Sequence, residues 1–366
     1  MQPRSNVKHR GVMLPAGGLV LAAGLVAAAC GGGGSGAKTP GAATALTGAG
    51  ATFPNPVYQR WFSEYHQATG VRINYQSIGS GGGIRQYVQG TVDFGATDGP
   101  MTDDKIAAVG GNVLHLPTVI GMDVLTYNLP ELDSRRLVLD GPTTADIFLG
   151  KITRWNDRRI AALNPGANLP AADILVVHRS DGSGTTYIFT DYLSKVSPEW
   201  ASRVGTAKSV DWPVGLGGKG NEGVTQQVRQ LEHAIGYVEF IYAKSNDLGY
   251  ADMINAAGRE VAPSLESAGA AAASAEFAPD TDFRVSITDA PGEDAYPITS
   301  FTWLLVKRDD DDRARARAIR DFLRWMIGDE AQGIAGELEY APLPPAVREL
   351  VAARIDGLTA NGQPLE

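Results

Sequence analysis

One pattern recurs along this chain and limits what it can fold into: a short apolar strand, a glycine-rich loop, then an amphipathic helix. "ALTGAG" reads as a strand and "ATFPNP" as a turn; Val57, Trp61, Phe62 and Tyr65 then recur at helical spacing. Pro54 suits a first helical position, where a missing N–H costs nothing, and Gly70 suits a stop. "VRINYQSI" alternates like a strand, "GSGGG" reads as a loop, "IRQYVQG" as a short helix and "VDFGAT" as another strand. The theme returns in "DILVVHRS", "DGSGT" and "TYIFTDYLSKV", and again in "GLGGKGNEGVTQQVRQLEHAIGYVEF", whose strand starts near Ile235. Such an order is that of an α/β fold with parallel strands. It sets each loop at the carboxyl end of a strand, where open α/β sheets bind ligands. At 366 residues the chain is long enough for about two domains.

The first residues belong to targeting rather than to the fold. Arg4, Lys8 and Arg10 precede the apolar run "GVMLPAGGLVLAAGLVAAA", which ends at Cys30, the only cysteine. Small residues before a lone cysteine read as a lipoprotein signal over 1–29, with cleavage ahead of Cys30 and a lipid on its sulfur. A plain secretory peptide or a single membrane-spanning anchor is the alternative. Residues 30–44, rich in glycine, serine and alanine, form a flexible tether. Export is expected to leave the protein lipid-anchored at the cell membrane, facing the periplasm or the cell exterior. With one cysteine no disulfide can form within the chain. The net charge of -9 argues against nucleic acid as a partner. Loss of residues 1–29 removes three positive charges and no acid, leaving -12. Any anion bound by so acidic a protein must be held by a local arrangement, since the global field repels it.

Four loops supply the parts of such an arrangement: Thr52-Phe53, Ser80-Gly81, Asp98 after its strand, and Ser183-Gly184-Thr185. A helix N-terminus offers unpaired N–H groups and the positive end of the dipole. Hydroxyls add donors, glycine lets the backbone approach closely, and Arg179 adds a planar fork that suits a tetrahedral oxyanion. For any one loop the plain alternative is an N-cap; several together, with an arginine beside one, favour an anion site. Asp181 can pair with Arg179 and hold its guanidinium. Asp98, if not merely a turn residue, can accept a hydrogen bond from an oxyanion that keeps a proton, as phosphate does near neutral pH. A fully deprotonated sulfate would be repelled, so one acid among donors selects between the two.

Other features carry less. Asp309 to Asp312 read as a solvated acidic start to the helix containing Ile319, Phe322, Leu323 and Met326, rather than as a metal site. Residues 266–277 read as a helix of high intrinsic propensity. Neither Ser80 nor Ser183 makes the G-x-S-x-G turn of a serine hydrolase, and His178 should point away from Arg179 on its strand. "GLGGKGNEG" lacks the phosphate-loop order because Gly220 follows Lys219, and reads as a turn near the cleft.

The blocks "LTGAGATFPNPVY", "NYQSIGSGGG", "TVDFGATDGP", "LVLDGPTTADIFLGKITRWND", "RSDGSGTTYIFTDYL", "GLGGKGNEGV", "AIGYVE" and "YPITSFTWLLV" resemble, in order, the phosphate-binding protein of high-affinity phosphate ABC transporters. The resemblance runs from about Leu46 to the end. It implies a two-domain periplasmic-binding-protein fold of type II, each domain a mixed sheet flanked by helices. Inorganic phosphate would lie in the interdomain cleft and be delivered to the transmembrane permease subunits of an ABC transporter. By that resemblance Thr52, Phe53 through its N–H, Ser80 and Asp98 contact phosphate from one domain. Arg179, Ser183, Gly184 and Thr185 contact it from the other, with Asp181 supporting Arg179. Chain crossings near 117–121 and 296–300 would make domain I discontinuous, 45–120 plus 298–366, with domain II at 121–297. Gly81 stands where many relatives have serine, which removes an auxiliary donor, and Thr97 where many have serine. The expectation is a monomeric binding protein, no enzyme, without cofactor or metal, lipid-bound through Cys30. Arsenate, sulfate or molybdate as ligand, and a surface adhesion or antigen role, are the alternatives; Asp98 argues against sulfate and molybdate.

Overall fold

The computed structural model describes residues 43, 45–132, 135–278 and 281–365, so the signal segment, Cys30 and nearly all of the tether lie outside the described residues. Twelve strands matter here: β1 (Ala45–Gly50), β2 (Arg72–Ser77), β3 (Phe94–Thr97), β4 (Leu114–Tyr127), β5 (Val138–Asp140), β6 (Leu175–Arg179), β7 (Leu216–Gly218), β8 (Ala234–Glu239), β9 (Gly249–Tyr250), β10 (Asp252–Ile254), β11 (Glu260–Val261) and β12 (Thr299–Val306). Their main sheet has the order β2-β1-β3-β12-β4-β8-β6-β7, with β9 on β4; β11-β10-β5 form a small separate sheet. β1, β2 and β3 are parallel, as are β6, β7 and β8, and helices make the crossovers. Between these two parallel groups lie β12 and β4, antiparallel to each other and to their outer neighbours β3 and β8. The sheet is therefore mixed.

β4 joins the groups. All fourteen of its residues are buried, the signature of a strand covered on both faces. Its first part, to Met122, pairs with β12, and from Asp123 onward it pairs with β8. The first helix, Asn55–Thr69, buries Val57, Tyr58, Trp61, Phe62 and Tyr65 and ends at Gly70 in the left-handed region. Trp61 donates from Nε1 to the Ala331 carbonyl at 2.7 Å, and Phe62 packs on Phe322. The C-terminal helices are thereby fixed against the first helix of the chain.

Local departures from the sequence patterns have physical reasons. Pro54 is the residue before the helix and Pro56 lies within its first turn. The "GSGGG" segment is only partly loop, because the helix Ser80–Val88 takes in Gly81, Gly82 and Gly83. A Cβ at Gly83 would meet the Gly50 Cα at 2.4 Å, so these glycines let the helix lie directly on β1. The helix in 266–277 runs Leu265–Ala272, after which the chain turns and Phe277 packs edge-on to Phe301. The acidic run is only partly solvated. Asp312 caps the helix Arg313–Met326, whereas Asp310 is buried and accepts from the Arg315 guanidinium. No grouping of acids, histidines or cysteines among the described residues has the makings of a metal site.

Candidate functional site

β6 delivers Arg179 to the carboxyl end of its sheet, with the side chain 1% exposed. Alternation along the strand sends His178 the other way, stacked on Trp212 with ring centroids 4.8 Å apart. The guanidinium is aimed by two partners. Nε and Nη2 donate to Asp181 Oδ1 and Oδ2 at 2.8 and 2.6 Å, and Nη1 donates to Thr185 Oγ1 at 3.1 Å. Burial alone would push the Asp181 carboxyl up; the bonds and charge of Arg179 outweigh it and hold the group below its ordinary value. Asp181 thus stays ionised and fixes the fork.

Ser183 opens the helix Gly184–Val196, and its Oγ accepts the Thr186 N–H at 3.0 Å. It is therefore an N-cap. A hydroxyl that accepts from the backbone still has its own proton to donate, so capping and ligand contact are compatible here. The Thr185 hydroxyl receives both Arg179 and Asn221 Nδ2, the latter at 3.2 Å.

The opposing wall comes from the loops after β1, β2 and β3. Ser80 begins its helix and is fully buried. Its Oγ lies 3.4 Å from Asp98 Oδ2 and accepts the N–H groups of Asp98 at 3.3 Å and Gly184 at 3.1 Å. Asp98 is 1% exposed, and its Oδ1 accepts from Thr302 Oγ1 at 2.7 Å. Burial pushes its carboxyl up to about 7, against the opposing pull of Thr302, Arg179, Ser80 and Lys208. It is therefore poised between charged and neutral near neutral pH. Thr52 accepts at Oγ1 from Asn221 Nδ2 at 2.8 Å and from Asn221 N at 3.2 Å. The Phe53 carbonyl accepts from Tyr340 at 2.6 Å.

These walls touch. Gly81 N donates to the Gly182 carbonyl at 2.8 Å, and at Gly184 a Cβ would come within 2.5 Å of Asp98 Oδ2. The eight expected contact residues, with Asp181, thus lie along one crevice, and among the described residues the Arg179 guanidinium is the buried cation bonded directly to them. The expected turn near the cleft reaches further in than its sequence indicated. The helix Gly220–Gln230 carries no side-chain cap; its first two N–H groups go instead to Asp181 Oδ1 at 3.0 Å and to Thr52 Oγ1. Asn221 and Thr302 are site residues that pattern reading missed. For Asn221 a signal existed, an amide in a glycine-rich helix start. For Thr302 it was a hydroxyl set between Phe301 and Trp303 in a fully buried strand.

Behind the crevice, where β4 changes partner, Asp123 and Glu239 face each other across the ladder, both fully buried. Neither carboxyl oxygen of Asp123 has a hydrogen-bond partner among the described residues. Burial first, then the Asp98 and Glu239 charges, hold its carboxyl well above the usual carboxylate range, which favours its neutral form.

A model of the PBP superfamily domain matches residues 36–330. A phosphate-binding protein PstS of Pasteurella multocida is 47% identical over 312 residues, covering 85% of this chain and 90% of that one. Another, from Xylella fastidiosa, is 47% identical over 308 residues, covering 84% of each. Among solved structures, a high-affinity periplasmic phosphate-binding protein bound with phosphate superposes with a TM-score of 0.69 at 21% identity, over 84% of this chain and 93% of that one. A phosphate-binding protein from Stenotrophomonas maltophilia superposes with a TM-score of 0.65 at 18% identity, over 87% and 97%. At these identities the structural likeness speaks for the fold, a periplasmic binding protein of type II.

Proposed function

This chain belongs to the phosphate-binding proteins of the PBP superfamily, and from that premise we propose that it captures inorganic phosphate outside the cytoplasm and passes it to the membrane subunits of an ABC transporter. The observation that carries the reading is the company Asp98 keeps. A buried carboxyl poised near neutral pH stands among hydroxyl and amide donors, in the crevice that Arg179 closes from the other side. Hydrogen phosphate offers three acceptor oxygens and one proton. Arg179, the hydroxyls of Thr52, Ser80, Ser183 and Thr185, and the N–H groups of Phe53 and Gly184 are assigned to the oxygens. Asp98 is assigned to the proton, and Asp181 holds Arg179 in position. A sulfate dianion brings no proton and meets the Asp98 charge instead, which disfavours it. The groups bind and orient; the protein acts as a carrier and not as an enzyme.

The change of partner along β4 at Met122–Asp123, with β12 returning beside it, supports two lobes, 45–120 plus 298–366 and 121–297. Two crossings give a hinge, and closure buries the anion from both sides. Cleavage before Cys30 and lipid on its sulfur would tie a monomeric protein to the membrane through the 30–44 tether; Cys30 lies outside the described residues. Calorimetric titration with phosphate, arsenate and sulfate at pH 6 and pH 8 tests the reading. Phosphate should bind, and at pH 8, where Asp98 is charged, sulfate should fail to compete; a protein that takes sulfate as readily as phosphate at pH 8 would refute it. The Cys30→Ser variant should leave the membrane fraction, and persistence there would favour an uncleaved anchor.

A further inference from the structure

Beside the crevice lies a cavity of about 740 Å³, open to solvent, lined by residues between Gly81 and Lys105, by Tyr187 and Thr206–Lys208, and by Arg284. Its lining includes Gly81, next to Ser80, and Pro100, two residues past Asp98. Its charged lining is Arg85, Lys105, Lys208 and Arg284 against one acid, Asp103. Such a cluster is unexpected on a chain of net charge -9, and it adjoins the crevice, since its lining includes the neighbours of Ser80 and Asp98.

Two of the four cations are already spoken for. Arg284 Nη1 pairs with Asp103 at 2.8 Å, and Lys105 Nζ lies 3.7 Å from Asp104. The other two have no carboxylate within ion-pair distance among the described residues. Arg85 is exposed on the second turn of the helix Ser80–Val88, whose N-terminus forms one wall of the crevice. Lys208 stands on the opposite wall, where its carbonyl accepts the Ser183 N–H at 2.8 Å. Its Nζ reaches across to the Pro100 carbonyl at 2.6 Å and lies 5.2 Å from the centre of the Tyr187 ring. A lysine in that position links the Ser183 loop to the Pro100 loop.

We propose that this cavity is an outer anion station: Arg85 and Lys208 collect the incoming oxyanion from solution before it reaches the buried crevice, and Lys208 then bars the doorway against Pro100. The inference rests on phosphate being the ligand and adds how it arrives. A guanidinium at the rim gives a local attraction that offsets the repulsion of an acidic protein, and lined clefts of one sign raise association rates by focusing the field. Rim charges act on the rate of arrival far more than on the rate of departure. Removing one positive charge beside the path of a dianion corresponds to roughly a three- to tenfold slower association at low salt.

Stopped-flow binding of inorganic phosphate to the purified full-length protein tests this, comparing the wild type with Arg85→Gln and Lys208→Gln at low ionic strength and near 1 M salt. Arg85→Gln should associate several-fold more slowly at low salt, match the wild type at high salt, and dissociate at the wild-type rate. Lys208→Gln should both associate more slowly and dissociate faster. An Arg85→Gln association rate equal to wild type at low salt would overturn the outer station, as would a deficit that survives high salt. A wild type that binds no phosphate would instead sink the functional reading beneath it.

Discussion

Gly184→Ala isolates the closure of the crevice from the folding of its walls. A Cβ there would lie 2.5 Å from Asp98 Oδ2 and 2.6 Å from the Asp98 backbone N and Cβ. Non-bonded atoms settle at about 3.5 Å, so the walls must part by roughly 1 Å. The bonds that join them, Gly184 N to Ser80 Oγ at 3.1 Å and Gly81 N to the Gly182 carbonyl at 2.8 Å, would then exceed hydrogen-bonding range. With these lost and the charged contacts to a dianion loosened, the cost is about 3–5 kcal/mol, or roughly two to four factors of ten in Kd. The obstructing atoms belong to the opposite wall, so an open molecule escapes the clash, and the melting temperature without phosphate should stay near wild type. Gly81→Ala is the matched control. Its Cβ would stand 3.1–3.4 Å from Gly182, which a shift of a few tenths of an ångström relieves, and its affinity should fall by less than about tenfold. Isothermal titration with phosphate, alongside melting curves, reads both variants. Gly184→Ala binding within about threefold of wild type would refute the reasoning, since the walls would then not need to meet around the anion.

Three further outcomes are expected. Asp98→Asn should bring phosphate and sulfate affinities closer together; unchanged discrimination in calorimetry would count against its role as proton acceptor. The same variant should alter stability with pH, because a carboxyl whose folded value is raised to about 7 stabilises below its unfolded value and loses that contribution as pH rises through about 7; denaturant melts from pH 4 to pH 8 should therefore fall more steeply for wild type. Arg179→Ala should weaken phosphate binding by ~2–5 kcal/mol, as expected for unpairing a buried charge, and a loss below about tenfold would mean that the arginine only braces Asp181. Asp123→Val replaces a buried, unpartnered carboxyl by a side chain of similar shape. It should stabilise the protein by a margin that grows as pH rises, since the wild-type group is held above its ordinary value; equal margins at pH 5 and pH 8 would argue that Asp123 has found a partner.

Much of this site was legible before any coordinates, because its parts are local. Strand alternation placed Arg179 opposite His178, glycine and hydroxyl runs marked the loops, and helical spacing located the helices behind them. Asp181 could be matched to Arg179 because two residues separate them. Errors fell where neighbours in space decided the outcome. The glycines of "GSGGG" join a helix because β1 needs the backbone close. Asp310 leaves water because the guanidinium of Arg315, in the helix that follows, pairs with it.

Composition and periodicity by themselves determine that the chain alternates strands with helices and ends several strands in loops rich in glycine and hydroxyls. Tertiary structure alone decides that Thr52 meets Asn221 across 169 positions, that Asp98 meets Thr302 across 204, and that Lys208 reaches Pro100. Those contacts set the charge of Asp98, because its affinity for a proton depends on how much water the opposing wall excludes. No window of neighbouring residues contains that quantity.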